Sequence, residues 1–226
     1  MKPLQVEAHL LRLCNQHPDP AAFREAVEFG SIVSHESLVR LWLTEGIPFA
    51  FRECPALYEA SRAWLGWRLG LCPKEITLLG SARIGFSMSR LPKYGEPFGP
   101  ESDLDLSIVS KSLFQKMLET FNQWHSDYKQ GTVQPRHPRE HEYWDQNITF
   151  GLSNGSNGFL DANKIPTLDR YPVAQNVNQA MWELKRKLEV TAGAPKPTKV
   201  SVRIYISWRA LVSRVSFNLR VALQKR

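Results

Sequence analysis

The sequence has few features that would stabilise a chain by cross-linking or anchor it in a membrane. It contains 3 cysteines among 226 residues, far apart and in no CxxC arrangement, so it indicates neither a disulfide framework nor a thiolate zinc site. We expect Cys14, Cys54 and Cys72 to be buried thiols. No apolar run approaches the roughly 18 residues that span a bilayer, and the opening MKPLQVEAHLLRL lacks the apolar core of a cleavable leader. We therefore expect a soluble cytoplasmic protein with no membrane partner.

The chain also lacks internal repeats and long low-complexity tracts. Its length suits one domain, or one domain with a helical extension, and is sufficient to bury a core. Lysine and arginine together number 29 against 22 acids, which gives a formal net charge of +7. This excess favours polyanionic partners such as nucleotides or nucleic acid, but a basic surface without such a partner explains it equally well.

The hydrophobic pattern predicts an α+β fold in three regions. Residues 1–70 are expected to form a helical N-terminal region of three or four helices, one of them opened by Asp19-Pro20 and closed by Gly30. Residues 71–170 are expected to form a core around a small mixed sheet. Residues 171–226 are expected to form C-terminal helices, including one long helix over the last segment, KVSVRIYISWRALVSRVSFNLRVALQKR.

Two short segments of the core have the character of strands. Residues 76–79 form an apolar run between a proline and a glycine, and residues 103–108 alternate acidic or polar side chains with leucine and isoleucine. A capping box, residues 112–115, then predicts the start of a helix. Residues 129–158, rich in Gly, Pro, Asn and His, are predicted to be mostly loop with one strand near residues 148–152.

The alternation places Asp103 and Asp105 on one face of their strand. Two carboxylates so close repel each other unless a cation lies between them, and Mg2+ is commonly held by one or two carboxylates together with substrate phosphates. Gly80-Ser81 follows the preceding strand, where a glycine allows the backbone to approach a ligand and the next residues offer amides and a hydroxyl. The sequence therefore predicts a cation and phosphate site between the two strands.

The order of these motifs resembles the signature of the polymerase-beta-like nucleotidyltransferase superfamily. The resemblance covers about residues 76–110 and rests on Gly80-Ser81 and on Ser102-Asp103-Leu104-Asp105-Leu106. It implies a nucleotidyltransferase core in which Gly80 and Ser81 bind the triphosphate, Asp103 and Asp105 bind Mg2+, and a third acid on a later strand completes a catalytic site with two Mg2+ ions.

Asp161 is the predicted third acid, both catalytic and metal-binding, and Asp145 is its rival. Arg83 is a candidate for steering phosphate, or else it pairs with an acid. Ser102 is a further candidate for nucleotide binding. The segment MSRLPKYGEPFGPE lengthens the spacing between the two motifs, and it either folds over the site, with Arg90 and Lys93 reaching phosphates, or is a surface excursion.

The resemblance implies a Mg2+-dependent transfer of a nucleoside monophosphate from a triphosphate to an acceptor. The acceptor is open among RNA, protein, another nucleotide or a small molecule, and the superfamily includes toxin and phage-defence enzymes. The alternative is an inactive module of the same fold that binds RNA or a partner protein. A zinc site at His137 and His141 is disfavoured because Pro138 argues against a helix there.

Overall fold

A four-stranded mixed sheet organises the fold in the computed structural model, which describes residues 5–223. Its strands are β1 (Ile76–Leu79), β2 (Leu104–Val109), β3 (Phe159–Asp161) and β4 (Val200–Tyr205). The spatial order is β1-β2-β4-β3, in which β2 and β4 are parallel and the other two pairs are antiparallel. The predicted α+β class and the small mixed sheet are confirmed.

Helices cover both faces of this sheet. They are α1 (Ala8–Leu11), α2 (Pro20–Phe29), α3 (Ile32–Leu38), α4 (Pro55–Leu69), α5 (Ser81–Ile84), α6 (Lys111–Lys129), α7 (Pro138–Ser156), α8 (Pro172–Val190) and α9 (Trp208–Leu223). A π-helical turn follows α3, and short 3-10 turns lie at Phe49–Phe51, Pro73–Glu75 and Ala162–Lys164. Within the described residues, no helix is both long and apolar enough to cross a bilayer.

Strand periodicity divides the core between the two faces of the sheet. Leu104, Leu106 and Ile108 lie on one face of β2 and pack into a cluster with the buried sides of α4, α6 and α8. The opposite face carries Val109 and Tyr205 at one end, and these pack with α2, α3 and α9. The other end of that second face is polar, so α9 covers only part of it and a cleft remains.

The predicted start of the first long N-terminal helix is confirmed. Asp19 accepts hydrogen bonds from the backbone N–H groups of Ala21 and Ala22, and Pro20 occupies the first helical position, where no N–H is needed. The strands predicted at residues 76–79 and 103–108 are confirmed as β1 and β2, apart from the first residue of the latter. The capping box at residues 112–115 was wrong, because α6 begins at Lys111 after Ser110.

The prediction of a loop over residues 129–158 was wrong, because α7 occupies most of it. Pro138 stands at the first helical position and so does not oppose the helix, while the His137 ring accepts the Glu140 N–H as a cap. Trp144 and Gly151 are buried against the core, and this packing stabilises α7. The polar composition of the segment did not indicate a helix. Tertiary packing outweighed local propensity here.

The single long C-terminal helix was also wrong, since the segment folds as β4 and then α9. Residues 200–205 pair with β2 on one side and β3 on the other, so β4 is a central strand of the sheet. The Ser207 hydroxyl accepts the Ala210 N–H at the start of α9. The boundary between β4 and α9 is therefore marked by a serine cap, in a place where glycine or proline is more usual.

The expectation of buried cysteines was wrong. Cys14 and Cys72 are exposed and Cys54 is partly buried, so the three cysteines are not core thiols. Trp67 and Trp182 are 79% and 58% exposed, respectively. Both lie on the outer surface of their helices.

Candidate active site

A cleft of about 410 Å³ opens at the polar end of the sheet, between the strands and α9. Register explains its lining, since Asp105 pairs with Leu79 on β1 and with Ser201 on β4, while Asp161 on β3 pairs with Arg203 on β4. Paired residues share a face of the sheet. Gly80 and Ser81 complete this wall, so the cleft brings together four of the predicted site residues, which are Gly80, Ser81, Asp105 and Asp161.

Gly80 leaves β1 in a conformation that glycine alone adopts readily, with φ 69° and ψ −158°. A Cβ at this position would lie 3.1 Å from Oδ2 of Asp105. The glycine therefore both makes the bend possible and keeps the space beside this carboxylate open. Ser81 starts the short helix α5 and lines the same cleft.

The two acids of the Asp-Leu-Asp motif are each held by a hydroxyl from the β4 segment. Ser201 Oγ donates to Asp105 Oδ1 at 2.6 Å, and Thr198 Oγ1 donates to Asp103 Oδ1 at 2.5 Å. Both carboxylates are exposed, and each keeps its second oxygen free of these bonds. Asp105 lies on the wall of the cleft, whereas Asp103 lies outside the set of lining residues, just before β2 begins.

Asp161 lies in the cleft but is bound by an arginine. Arg203 donates from Nε to Asp161 Oδ1 at 2.7 Å and from Nη2 to Oδ2 at 3.0 Å, which engages both carboxylate oxygens. Burial alone would lower the pKa of Arg203, but the hydrogen bonds and charge of Asp161 outweigh it and the pKa is raised above its ordinary value. The Arg203 guanidinium therefore stays protonated.

Arg83 does not face the cleft. Its side chain is 1% exposed and donates from Nε to the Trp42 carbonyl and from Nη1 to the Gly46 carbonyl. Burial lowers the pKa of this guanidinium below its ordinary value. The arginine joins α5 to the turns after α3, and neither of the two roles predicted for it, steering phosphate or pairing with an acid, is seen in these contacts.

The segment inserted between the motifs forms one end of the cleft. Met88 and Ser89 line it, and Arg90 Nε donates to the Val221 carbonyl on α9, which joins the segment to that helix. Lys93 is exposed and lies outside the cleft wall. Ser102 Oγ accepts the Gly99 N–H and so shapes the turn that leads into β2, without lining the cleft.

Asp145, the rival third acid, lies on the exposed side of α7 and accepts a hydrogen bond from Tyr128. It is not among the residues of the cleft. The structure thus brings Asp161, and not Asp145, to the same face of the sheet as Asp105.

The predicted site lacked three residues, Thr198, Ser201 and Arg203, which bind the carboxylates from β4 and the residues just before it. Ser201 and Arg203 were missed because their segment was predicted to be helical. The alternation of Val200, Val202 and Ile204 with Ser201 and Arg203 was the signal that could have revealed these two.

Asp103 lies just before β2 and Asp105 lies within it, and both side chains offer carboxylate oxygens of the kind that bind divalent cations. Oxygen ligands suit Mg2+, and Gly80 leaves room beside Asp105 Oδ2 that any side chain would fill. Within the described part of the chain, no group of three or more His, Cys, Asp or Glu side chains is arranged to hold a metal ion. Asp103 and Asp105 each keep one carboxylate oxygen that is not used in the bonds to Thr198 and Ser201.

Comparison with protein-family models, curated proteins and solved structures finds no significant match to this chain. The assignment of a function therefore depends on the residues of the cleft.

A larger cavity, of about 900 Å³, lies on the other side of α9, beside the outer edge of β1. Tyr58 and Trp208 line it together with basic and acidic side chains, among them Lys74 and Arg209. None of the predicted site residues lines this cavity. The smaller cleft is therefore the candidate active site, because the paired motifs meet there.

Proposed function

We propose that this protein is a Mg2+-dependent nucleotidyltransferase with its active site in the cleft between β1, β2, β4 and α9. The observation that carries the proposal is the contact between the two motifs, in which the open side of Gly80 faces Oδ2 of Asp105. The resemblance assigns triphosphate binding to the Gly-Ser bend and cation binding to the acids. The bend and Asp105 lie in one cleft, which is what such a reaction requires.

In the proposed reaction an acceptor hydroxyl attacks the α-phosphorus of a nucleoside triphosphate. A bond forms between the acceptor oxygen and the α-phosphorus, the bond from that phosphorus to the bridging oxygen of the β-phosphate breaks, and pyrophosphate leaves as the hydroxyl proton is released. Catalysis of phosphoryl transfer depends chiefly on positioning and on neutralising the phosphate charges.

The chain's own residues supply this positioning. Ser201 fixes one oxygen of Asp105, so the other points towards Gly80, and Thr198 restrains Asp103 in the same way. Gly80 and Ser81 would contact the triphosphate through backbone N–H groups and the serine hydroxyl. Mg2+ bound by Asp103 and Asp105 would neutralise phosphate charge and orient the triphosphate.

The acceptor can be identified by incubating the protein with each of the four α-32P-labelled nucleoside triphosphates, Mg2+ and cell extract. Transfer of label to RNA, protein or a small molecule supports the proposal and names the acceptor class. The matched control is Asp105→Asn, which should give no labelled product. Equal labelling by the wild type and this variant would contradict the proposal.

The second candidate is an inactive module of the same fold that binds RNA or a partner protein. One observation favours it: both oxygens of Asp161 are bonded to Arg203, so among the described residues that line the cleft no further carboxylate beyond Asp105 is free. The two candidates differ in whether Mg2+ changes the affinity for triphosphate. An enzyme should bind triphosphate more tightly with Mg2+ than without it, whereas an inactive module should show no such difference.

A further inference from the structure

Arg203 stands between the two acids of the cleft. On β4 it is two residues from Ser201, which faces Asp105, and it pairs directly with Asp161 on β3. Residues two apart on a strand share a face, so the guanidinium extends from the same surface as both carboxylates. It also lines the cleft.

This guanidinium is held firmly in place. Both of its bonds to Asp161 are short, and the Asp161 and Arg203 side chains are only 17% and 31% exposed. Its carbon lies 4.9 Å from the centre of the Phe159 ring, which supports it from the β3 side. A bidentate, partly buried pair of this kind is far stronger than a surface ion pair.

Arg203 is the sole basic side chain among the described residues of the cleft wall. Arg83 donates to backbone carbonyls, and Lys93 is exposed and lies outside the cleft wall. Among the described residues of the wall, Arg203 is therefore the side chain that can offset the negative charge of a triphosphate. Nε and Nη2 are bonded to Asp161, and a hydrogen bond with the Tyr205 hydroxyl also helps to raise the pKa of the guanidinium.

A second divalent ion shared by Asp105 and Asp161 would have to displace or approach this permanent positive charge. Arginine stays protonated in proteins, so the guanidinium cannot relieve the repulsion by losing its proton. Asp161 would also have to give up both of its hydrogen bonds to become a ligand. The arrangement disfavours a two-ion site.

We propose that the cleft is a one-cation site, in which Asp105 holds a single divalent ion and Arg203 supplies the second positive charge to the triphosphate. Asp161 is then a positioning residue that orients Arg203 and binds no metal. This inference rests on the proposed function, since it concerns how the same cleft receives a nucleoside triphosphate.

The test counts Mn2+ ions on the full-length protein. Mn2+ replaces Mg2+ because it is paramagnetic, and a non-hydrolysable ATP analogue replaces the substrate. Electron paramagnetic resonance then gives bound Mn2+ per protein, and calorimetry gives affinity for the analogue. We expect one Mn2+ per bound analogue in the wild type. Two ions per complex would overturn the one-cation site while leaving the proposed function intact.

Two variants separate the roles of the paired residues. Arg203→Met should retain one Mn2+ but bind the analogue 10- to 100-fold more weakly, as expected for loss of one charge-assisted phosphate contact of about 1.4 to 2.7 kcal/mol. Asp161→Asn should also retain the ion and weaken binding, because Arg203 loses its anchor. Loss of an ion in Asp161→Asn would overturn the positioning role.

Arg203→Lys is a control for misfolding. It preserves the positive charge and should keep part of the affinity for the analogue. The double variant Asp161→Asn with Arg203→Met should bind the analogue no more weakly than Arg203→Met alone, because Asp161 acts only through the arginine. Additive losses would overturn the inference. Failure of the wild type to bind any analogue with Mn2+ would instead contradict the proposed function, and this inference with it.

Discussion

Gly80 and Asp105 meet across the β1–β2 pair, where a Cβ on residue 80 would lie 3.1 Å from Oδ2 of the carboxylate. The residues are separated in sequence by the inserted segment, and the pairing of Leu79 with Asp105 brings them together. This contact makes the bend and the acids one site.

Gly80→Ala should weaken both the fold and the cleft. The backbone lies in a region that alanine adopts only with strain of about 1 to 3 kcal/mol, and the new methyl group would press on Asp105. We expect a lower midpoint in urea denaturation and at least a tenfold loss of Mg2+-linked triphosphate affinity in calorimetry.

Gly70→Ala is the matched control. This glycine also has a positive φ, of 68°, but nothing lies within 4 Å of a Cβ built there. The variant should lose about 1 kcal/mol of stability and keep its affinity for triphosphate. A Gly80→Ala protein with unchanged affinity would show that the space beside Asp105 is not used.

Arg83→Met should destabilise the protein without a specific effect on the cleft. The substitution leaves the Trp42 and Gly46 carbonyls without their buried donor, which should lower the free energy of unfolding by about 2 to 4 kcal/mol. Urea denaturation measures this loss, with the exposed Arg139→Met as control. A tenfold loss of triphosphate affinity in folded Arg83→Met protein would restore the role in phosphate binding that the sequence suggested.

Glu7 should make the N-terminal helices sensitive to acid. Hydrogen bonds from Ser31, together with Ser34 and the charge of His9, lower the pKa of Glu7 from 4.5 to about 2. A lowered folded-state pKa contributes stability that is fully present above the unfolded value and lost as the pH falls towards the folded value. The contribution should therefore disappear between about pH 4.5 and pH 2.

The measurement compares melting temperatures of the wild type and Glu7→Gln across that range. The variant should melt a few degrees lower at neutral pH, and the difference should narrow as the pH falls below 4.5. A difference that stays constant with pH would mean that the charge of Glu7 makes no contribution.

Strands with clear alternation and caps with a direct hydrogen bond could be predicted from the sequence. Apolar and polar side chains alternate at the start of the strand at residues 104–109, and residues 76–79 are an apolar run bounded by a proline and a glycine. Asp19 caps α2 through bonds that need only the next few residues. The meeting of Gly80 with Asp105 followed from the same local information.

The rest depended on contacts between distant residues. Residues 200–205 fit both helical and strand periods, and their pairing with β2 lies more than 90 residues away in sequence. Because that strand was not predicted, the hydrogen bond between Arg203 and Asp161 could not be predicted either. Asp161 was therefore predicted to be a free ligand. The α7 helix was missed because its polar sequence shows little periodicity and its buried side is defined by the packing of α6.

The measurement that tests the account most directly is calorimetric titration of a non-hydrolysable ATP analogue into the wild type, Asp105→Asn and Asp145→Asn, each with and without Mg2+. Asp145 is an exposed acid outside the cleft and serves as the matched control. We predict that Mg2+ strengthens binding at least tenfold in the wild type and in Asp145→Asn, and has no effect in Asp105→Asn. Binding that is indifferent to Mg2+ in the wild type, or that survives unchanged in Asp105→Asn, would contradict the proposed nucleotidyltransferase.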